Sequence, residues 1–207
     1  MNVIFVSAAY KKHFSISNSF IKELPNRVGL VATIQFLGFL NSIKKEIEKN
    51  GKKAIIGGQI LGCDSNNALK IKDKVDCFLF IGSGKFYILR IAMNLDREMP
   101  IFNLNPLSSE LTKFDWQEIR KLKQKQKAQE IRILSADRVG IFVSTKSGQL
   151  HLDRALKIKE DLEKKDKKAY IFMADLLDQN QFENFDVQAW VNTACPGLFY
   201  DVSVLNM

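Results

Sequence analysis

Cysteine is scarce in this chain, and no two of the three cysteines, Cys63, Cys77 and Cys195, fall within a CxxC spacing. That absence excludes zinc fingers, ferredoxin-type runs and thioredoxin-type redox motifs. An odd number of widely spaced thiols also argues against a disulfide framework and fits a reducing compartment. Long apolar runs are missing too: "CFLFI" and "AIIGG" are far short of the ~20 residues a membrane span requires. The opening "MNVIFVSAAY" lacks the basic region and longer apolar stretch of a secretion signal and reads as a first β-strand. These features place the protein in the cytoplasm, with no membrane partner. Histidine is equally sparse; His13 reads as a loop residue and His151 as a helix start, neither with a nucleophile or metal partner at recognisable spacing.

Acidic residues are in deficit, 23 against 31 Lys and Arg, for a net charge of +8. Such a balance fits an acidic partner such as nucleic acid or a ribosome-associated protein, and equally a solvated Lys/Glu-rich surface. With 46% apolar and 26% charged residues, the 207-residue chain is an ordinary globular one, long enough for one large domain or two smaller ones.

What is present is a repeat. "RVGLVATIQFLGFLNSIKKEIEKNGKKAII" (27–56) runs parallel to "RVGIFVSTKSGQLHLDRALKIKEDLEKKDKKAYI" (138–171), with four extra residues at the second turn. Each copy reads as strand, polar turn, amphipathic helix, strand. Leu37, Leu40, Ile43 and Ile47 recur at helical spacing in the first copy, as do Leu152, Leu156, Ile158 and Leu162 in the second. Strands that are apolar throughout, separated by such helices, indicate parallel α/β layers. "VDCFLFIG" and "MPIFNLNP" add two strands, with a helix over 88–95 between them. "SSELTKFDWQEIRKLKQKQKAQEIRILSAD" (108–137), with a capping serine and no Gly or Pro from Glu110 to Ile133, predicts one long basic connecting helix. The fold class is therefore α/β: two similar domains, each a small, mostly parallel β-sheet flanked by helices, spanning 1–107 and 108–207.

Two of the thiols stand where chemistry is done. Cys63, in "IIGGQILGCD", follows glycines that break a strand and precedes "DSNNALKI", a helix start; such a position favours a thiolate. The alternative is a small residue in a tight turn. Cys195, in "NTACPG", ends an apolar strand, and Pro196 withholds a backbone donor, as beside thiolate-bound clusters. Cys77 opens an apolar strand and reads as a small core residue. "GSGKF" (82–86) follows a strand as a phosphate cradle would, but lacks the third glycine of a dinucleotide fingerprint and the spacing of a P-loop. "STKSGQ" (144–149) holds the same place in the second unit, where ligands of open α/β sheets bind, or is an ordinary polar turn.

Taken in order, "GGQILGCD", "DCFLFIGSGKFY", "STKSGQ" and "VNTACPG" resemble the archaeal diphthamide-biosynthesis radical enzyme, which makes the first modification of a histidine on translation elongation factor 2. The resemblance runs from about Val3 to Asp201 and covers the second and third of that family's three α/β domains. It implies a [4Fe–4S] cluster held by one cysteine from each domain, with Cys63 and Cys195 as the metal ligands present here. It further implies that the cluster's open iron takes S-adenosylmethionine, whose cleavage gives a 3-amino-3-carboxypropyl radical that adds to the imidazole. By the same carry-over, Gln149 with Ser144, Lys146 and Gly148 contacts the cofactor, and Gly82 and Gly84 shape the pocket wall.

The departures from the family are as specific. Tyr87 stands where the family has His, Gly197 where it has Arg, and Val202 where it has a second acidic residue. The first domain and its cysteine are absent, and Cys77 aligns to a strand residue. A methionine just ahead of a domain boundary implies a split gene, with a separate chain supplying the first domain and third cysteine, and the long basic helix serving as interface. Elongation factor 2 and a homologous dimer complete the expected partners. The competing readings are a non-catalytic scaffold subunit of the same fold, and an unrelated nucleotide-binding α/β protein with phosphate at "GSGKF".

Overall fold

Arg-Val-Gly opens the central strand of each copy of the repeat, and the computed structural model shows what each of these residues does. The structure describes residues 4, 6, 8–12, 14–176, 179–197 and 204–206. In the first unit, Met1–Ile119, β1 (Arg27–Ala32) lies between two parallel neighbours, β2 (Lys53–Gln59) and β3 (Cys77–Ile81). In the second, Arg120–Met207, β6 (Arg138–Ser144) lies between β7 (Lys168–Ala174) and β8 (Ala189–Asn192) in the same way. The arginine stands at the start of each strand. Arg27 Nε and Nη2 donate to Asp76 Oδ1 at 3.0 and 2.6 Å, and Arg138 Nη2 donates to Asp186 Oδ1 at 2.7 Å. Each aspartate precedes the neighbouring strand, so the pair sets the relative start of two parallel strands; at these exposures it adds register more than stability.

The valines, Val28 and Val139, are fully buried under helices. The glycines face aromatic rings across the sheet: Gly29 is in register with Phe78 and Gly140 with Trp190. A Cβ on either would lie 2.9 or 2.6 Å from that ring, closer than packed atoms approach. Glycine is what lets the ring of one strand lie across the backbone of the next.

Around β1 the first sheet runs β2-β1-β3-β4-β5, where β4 (Ile101–Asn105) is parallel to β3 and the edge strand β5 (Glu110–Lys113) is antiparallel to β4. A 3-10 turn, Ile34–Phe39, leads into α2 (Leu40–Lys49), which lays Leu40, Ile43 and Ile47 on one face with Val28, Leu30, Cys77 and Leu79. The short α1 (Asn18–Glu23) adds Ile21 to that layer, its first turn capped by the Ser17 hydroxyl. Phe78 and Phe80 alternate onto the other face, and α4 (Phe86–Asn94) packs against β4. The second sheet runs β7-β6-β8-β9, all parallel, with β9 being Leu205–Asn206. There α6 (Leu152–Glu163) covers one face, and Phe172 and Trp190 lie with Phe182 on the other. In each unit the chain leaves the central strand to one side and returns to the other. The strand order therefore switches at the carboxyl ends of β1/β3 and of β6/β8, where open α/β sheets take ligands.

Three expectations need correction or placement. The long helix does not begin at Glu110: "ELTK" pairs with β4, Phe102 to Asn105, and α5 is Trp116–Ser135. Asp115, not a serine, caps it, its Oδ1 accepting the Gln117 N–H at 2.9 Å. An unpaired β4 edge and the turn at Ser109, φ 58°, outweigh the helical propensity of the charged run. The chain accordingly passes between units at 119/120, inside α5. In α6 the buried face is Ala155, Ile158 and Leu162, while Leu152 and Leu156 are 37% and 51% exposed; Leu156 follows Ala155 by one residue and so points about 100° away. Of the strand expected over residues 1–10, residues 1–3, 5 and 7 lie outside the described residues, and residues 4, 6 and 8–10 belong to no strand.

Gly29→Ala and Gly140→Ala are expected to destabilise the protein by about 1–3 kcal/mol each. Urea unfolding checks this, and wild-type midpoints in both variants would show that the rings have room to move.

Candidate metal centre

The three thiols have three different environments. Cys77, the first residue of β3, is buried in the core beside Val28 and Leu79. Burial, with the Asp76 carboxylate adding to it, pushes its thiol from 9.0 up to about 12. It stays a thiol at neutral pH, the wrong form for a ligand.

Cys63 is exposed, in a tight turn four residues beyond the end of β2. The turn is closed by reciprocal backbone bonds, Leu61 N–H to Asp64 O at 2.8 Å and Asp64 N–H to Leu61 O at 3.3 Å. At Gly62 a Cβ would lie 1.9 Å from the Phe86 ring, so the glycine is what allows the turn to sit against the start of α4. Two side chains one turn apart on α4 hold it at two points. Arg90 Nη2 donates to the Cys63 carbonyl at 3.4 Å, and Asn94 Nδ2 to Ser65 Oγ at 2.9 Å. Arg90 Nε is buried without a hydrogen-bond partner, so a guanidinium not fully satisfied stands beside the turn. The helix expected after Cys63 is a single turn, α3 (Asn66–Leu69), which brings little dipole to the thiol.

Cys195 is half-buried, three residues past β8. Asn192, the last residue of β8 and 2% exposed, builds the turn around it. Its Oδ1 accepts the Ala194 N–H at 2.9 Å, and its Nδ2 donates to the Cys195 carbonyl and to Asn206 Oδ1, both at 2.8 Å. Asn206 Nδ2 in turn donates to the Pro196 carbonyl at 2.8 Å. The turn thus presents its sulfur from a backbone in which the Ala194 N–H and the Cys195 and Pro196 carbonyls are paired.

The residues expected to contact the cofactor form one turn at the carboxyl end of β6. Ser144 is buried and its Oγ accepts the Lys146 N–H at 3.2 Å; the Gln149 N–H donates to the Lys146 carbonyl at 3.0 Å, and Gly148 takes φ +77°. Gly82 and Gly84 form the turn after β3, the counterpart of β8, so the Ser144–Gln149 turn, which follows the central strand β6, does not hold the same place in its unit as the sequence led us to expect; Gly84 has φ +84° and a Cβ on Gly82 would meet the Phe80 ring at 2.4 Å. Lys85 there lies 3.5 Å from Glu118. Tyr87 stacks on Phe80 with centroids 5.5 Å apart. Gly197 lies in the turn after Cys195, while Val202 and His13 lie outside the described residues.

The chain's own donor set is therefore two thiols on turns at the carboxyl ends of strands, one per unit. Among the described residues no three His, Cys, Asp or Glu side chains gather as a metal site. Soft thiolate ligands suit an iron–sulfur cluster, and each unit offers one such thiol.

Residues 1–204 match the family model of diphthamide synthesis proteins. The chain belongs to the diphthamide synthesis family. It is similar to the 2-(3-amino-3-carboxypropyl)histidine synthase of Pyrococcus horikoshii, 29% identical over 85% of this chain and 52% of that protein. It is also similar to subunit 1 of that synthase from Schizosaccharomyces pombe, 28% identical over 92% of this chain and 44% of that subunit. The chain thus spans about half the length of these relatives. The crystal structure of Dph2 from Pyrococcus horikoshii with a 4Fe-4S cluster superposes with a TM-score of 0.76 at 28% identity, covering 91% of this chain and 57% of that one. The mostly parallel two-sheet α/β architecture is that of the family. Among the described residues no helix is long and apolar enough to cross a membrane.

Arg90, Asn94, Asn192 and Asn206 were not legible as site residues. The signal for Asn192 was a polar residue closing the buried strand "AWVN"; for Arg90 it was the one charge inside the apolar helix "FYILRIAMN".

In the folded, iron-free protein at neutral pH, maleimide is expected to label Cys63 first, Cys195 more slowly and Cys77 only after denaturation. Mass spectrometry of timed samples checks the order, and early labelling of Cys77 would contradict its burial. Because the Cys77 thiol is raised in the fold, its contribution to stability is complete below pH 9 and lost as pH climbs through about 12. Asn192→Ala is expected to cost about 1–3 kcal/mol, by leaving the Ala194 N–H and Cys195 carbonyl unpaired, and to bring the Cys195 labelling rate towards that of Cys63.

Proposed function

We propose that this chain supplies two of the three thiolates of a [4Fe–4S] cluster, Cys63 and Cys195, in an S-adenosylmethionine-dependent 3-amino-3-carboxypropyl transferase. Its substrate is a histidine of translation elongation factor 2, and the reaction is the first step of diphthamide biosynthesis. The observation that carries this reading is the sorting of the thiols. The two that align with family ligands are on accessible turns at strand ends, and the third is sealed in the core. The third thiolate comes from a separate polypeptide carrying the missing α/β unit.

A cluster held by these thiolates would supply the electron for cleavage of the sulfonium cofactor. The chain's residues do the positioning. Arg90 and Asn94 anchor the Cys63 turn to α4, while Asn192 and Asn206 anchor the Cys195 turn to β8 and β9. The turn of Ser144, Lys146, Gly148 and Gln149 offers the cofactor its polar contacts, with Gly82 and Gly84 shaping the wall at the first switch point. The reading of a non-catalytic scaffold subunit is favoured by one observation: where the family has an arginine, Gly197 brings no side chain to the turn after Cys195.

Anaerobic reconstitution with iron and sulfide separates the two. Iron content and absorbance near ~400 nm, the region of iron–sulfur charge transfer, would be compared for wild type, Cys63→Ala, Cys195→Ala and Cys77→Ala, with and without a chain carrying the missing unit. The transferase reading expects full cluster only with the partner, lost in the Cys63 and Cys195 variants and kept in Cys77→Ala. No iron in the reconstituted pair leaves the scaffold reading.

A further inference from the structure

Among the described residues β2, β5, β7 and β9 stand at the sheet edges, and all but β7 are protected against pairing with another chain. β2 is bent by a register shift opposite Leu30 and Val31, where Gly58 takes φ +102°. β5 is four residues long and carries Glu110 and Lys113, and β9 is two residues long. Bulges, charges and shortness are what keep a sheet edge from acting as a template for a further strand. The seven residues of β7, "KAYIFMA", run in unbroken register with Arg138–Ser144 and hold no proline and no charge after Lys168. Among the described residues no strand pairs with its outer side, and Tyr170 and Met173 are 44% and 50% exposed.

The backbone of β7 shows which groups are left over. The Lys168 N–H donates to the Asp137 carbonyl, and the Thr145 N–H to the Ala174 carbonyl. In a parallel ladder, alternate residues turn both N–H and C=O to the same neighbour. Lys168, Tyr170, Phe172 and Ala174 therefore face β6, while Ala169, Ile171 and Met173 turn their backbone groups outward, a row symmetric about Ile171. We propose that β7 pairs antiparallel with β7 of a second copy of this chain, about a two-fold axis at Ile171. Ile171 then meets its own counterpart, and Ala169 meets Met173 on either side, each pair exchanging two N–H···O bonds. Moving the axis to either neighbouring register leaves one of the three outward residues in each copy without a partner. The side chains fit the same axis. Exposed Met173 lies opposite the small Ala169, Tyr170 opposite Phe172, and Lys168 opposite Ala174, so no like charges meet. Ala169 and Ile171 belong to the layer under α6 and Phe172 to the aromatic layer on the other face, so the pairing continues each apolar layer of one copy into that of the other. A foreign strand would have to reproduce this alternation, whereas a second copy has it by symmetry.

Sedimentation equilibrium of the full, iron-free chain, with amide hydrogen exchange followed by NMR at high and low concentration, tests it. A dimer is expected. In it the amides of Ala169, Ile171 and Met173 exchange slowly and become fast on dilution to monomer, whereas those of Tyr170 and Phe172, bonded to β6, stay slow throughout. Met173→Pro removes an outward N–H and no bond to β6, and is expected to weaken dimerisation about tenfold. Tyr170→Lys, which places a charge on the edge and leaves the backbone groups in place, is expected to weaken it as well. Ile56→Lys, on the bent edge β2, is expected to leave it unchanged. A chain that stays monomeric up to about 100 μM overturns the proposal. So does a dimer whose Ala169, Ile171 and Met173 amides stay fast at every concentration, or one that Ile56→Lys disrupts and Tyr170→Lys does not; the copies then meet through another surface. Iron loading is read separately and bears on the cluster reading alone.

Discussion

The close passage of an aromatic ring over a glycine on the neighbouring strand is the contact on which both units are built. Phe78 over Gly29 and Trp190 over Gly140 lock the central strand to its neighbour at one register, and an arginine–aspartate pair at the strand start agrees with that register in each unit. A shift by one residue would put a Cβ under the ring and turn the buried valines outward. With the register set, β1 and β3 end level, at Ala32 and Ile81, while β6 runs two residues past the partner of Asn192, where β8 ends, to Ser144. Within each unit the turns that follow these strands leave the sheet at the point where strand order reverses.

The repeat extends to the scaffold but not to the thiols. Cys195 follows β8, the counterpart of β3, whereas Cys63 follows β2, whose counterpart is β7. The position equivalent to Cys195 in the first unit is occupied by the Gly82–Gly84 turn. Each thiol consequently has its own support: an arginine and an asparagine from α4 for Cys63, two asparagines at strand ends for Cys195. A thiol on an ordered turn can be offered to a metal without the turn first having to be ordered, which lowers the cost of assembling a site from distant parts of a chain.

How far the sequence could be read depended on where the deciding partner lay. Apolar runs and helical spacing located the strands and the helices α2, α4 and α6, because those patterns are written within one element. "ELTK" was misjudged because its partner, β4, lies across a turn, and pairing overrode local propensity. The buried face of α6 was partly misjudged because an exposed leucine and a core leucine look alike until the sheet beneath them is placed. Among the candidate site residues, Cys63 and Cys195 stood out through their strand-end settings, whereas Asn192, Asn206, Arg90 and Asn94 act by hydrogen bonds to other segments.

By itself the sequence determined the α/β class, the two-fold repeat, the core character of Cys77 and the family, since strand periodicity, repeated Arg-Val-Gly and ordered short motifs are all local in the chain. Only the tertiary structure decided which thiols are accessible, which amides carry their turns, and that Phe142, Phe172, Phe182, Phe185 and Trp190, from three strands and the turn between two of them, gather on one face of the second sheet. Those depend on strand register and on which face of a sheet each side chain takes, and both are set by contacts between residues far apart in the sequence.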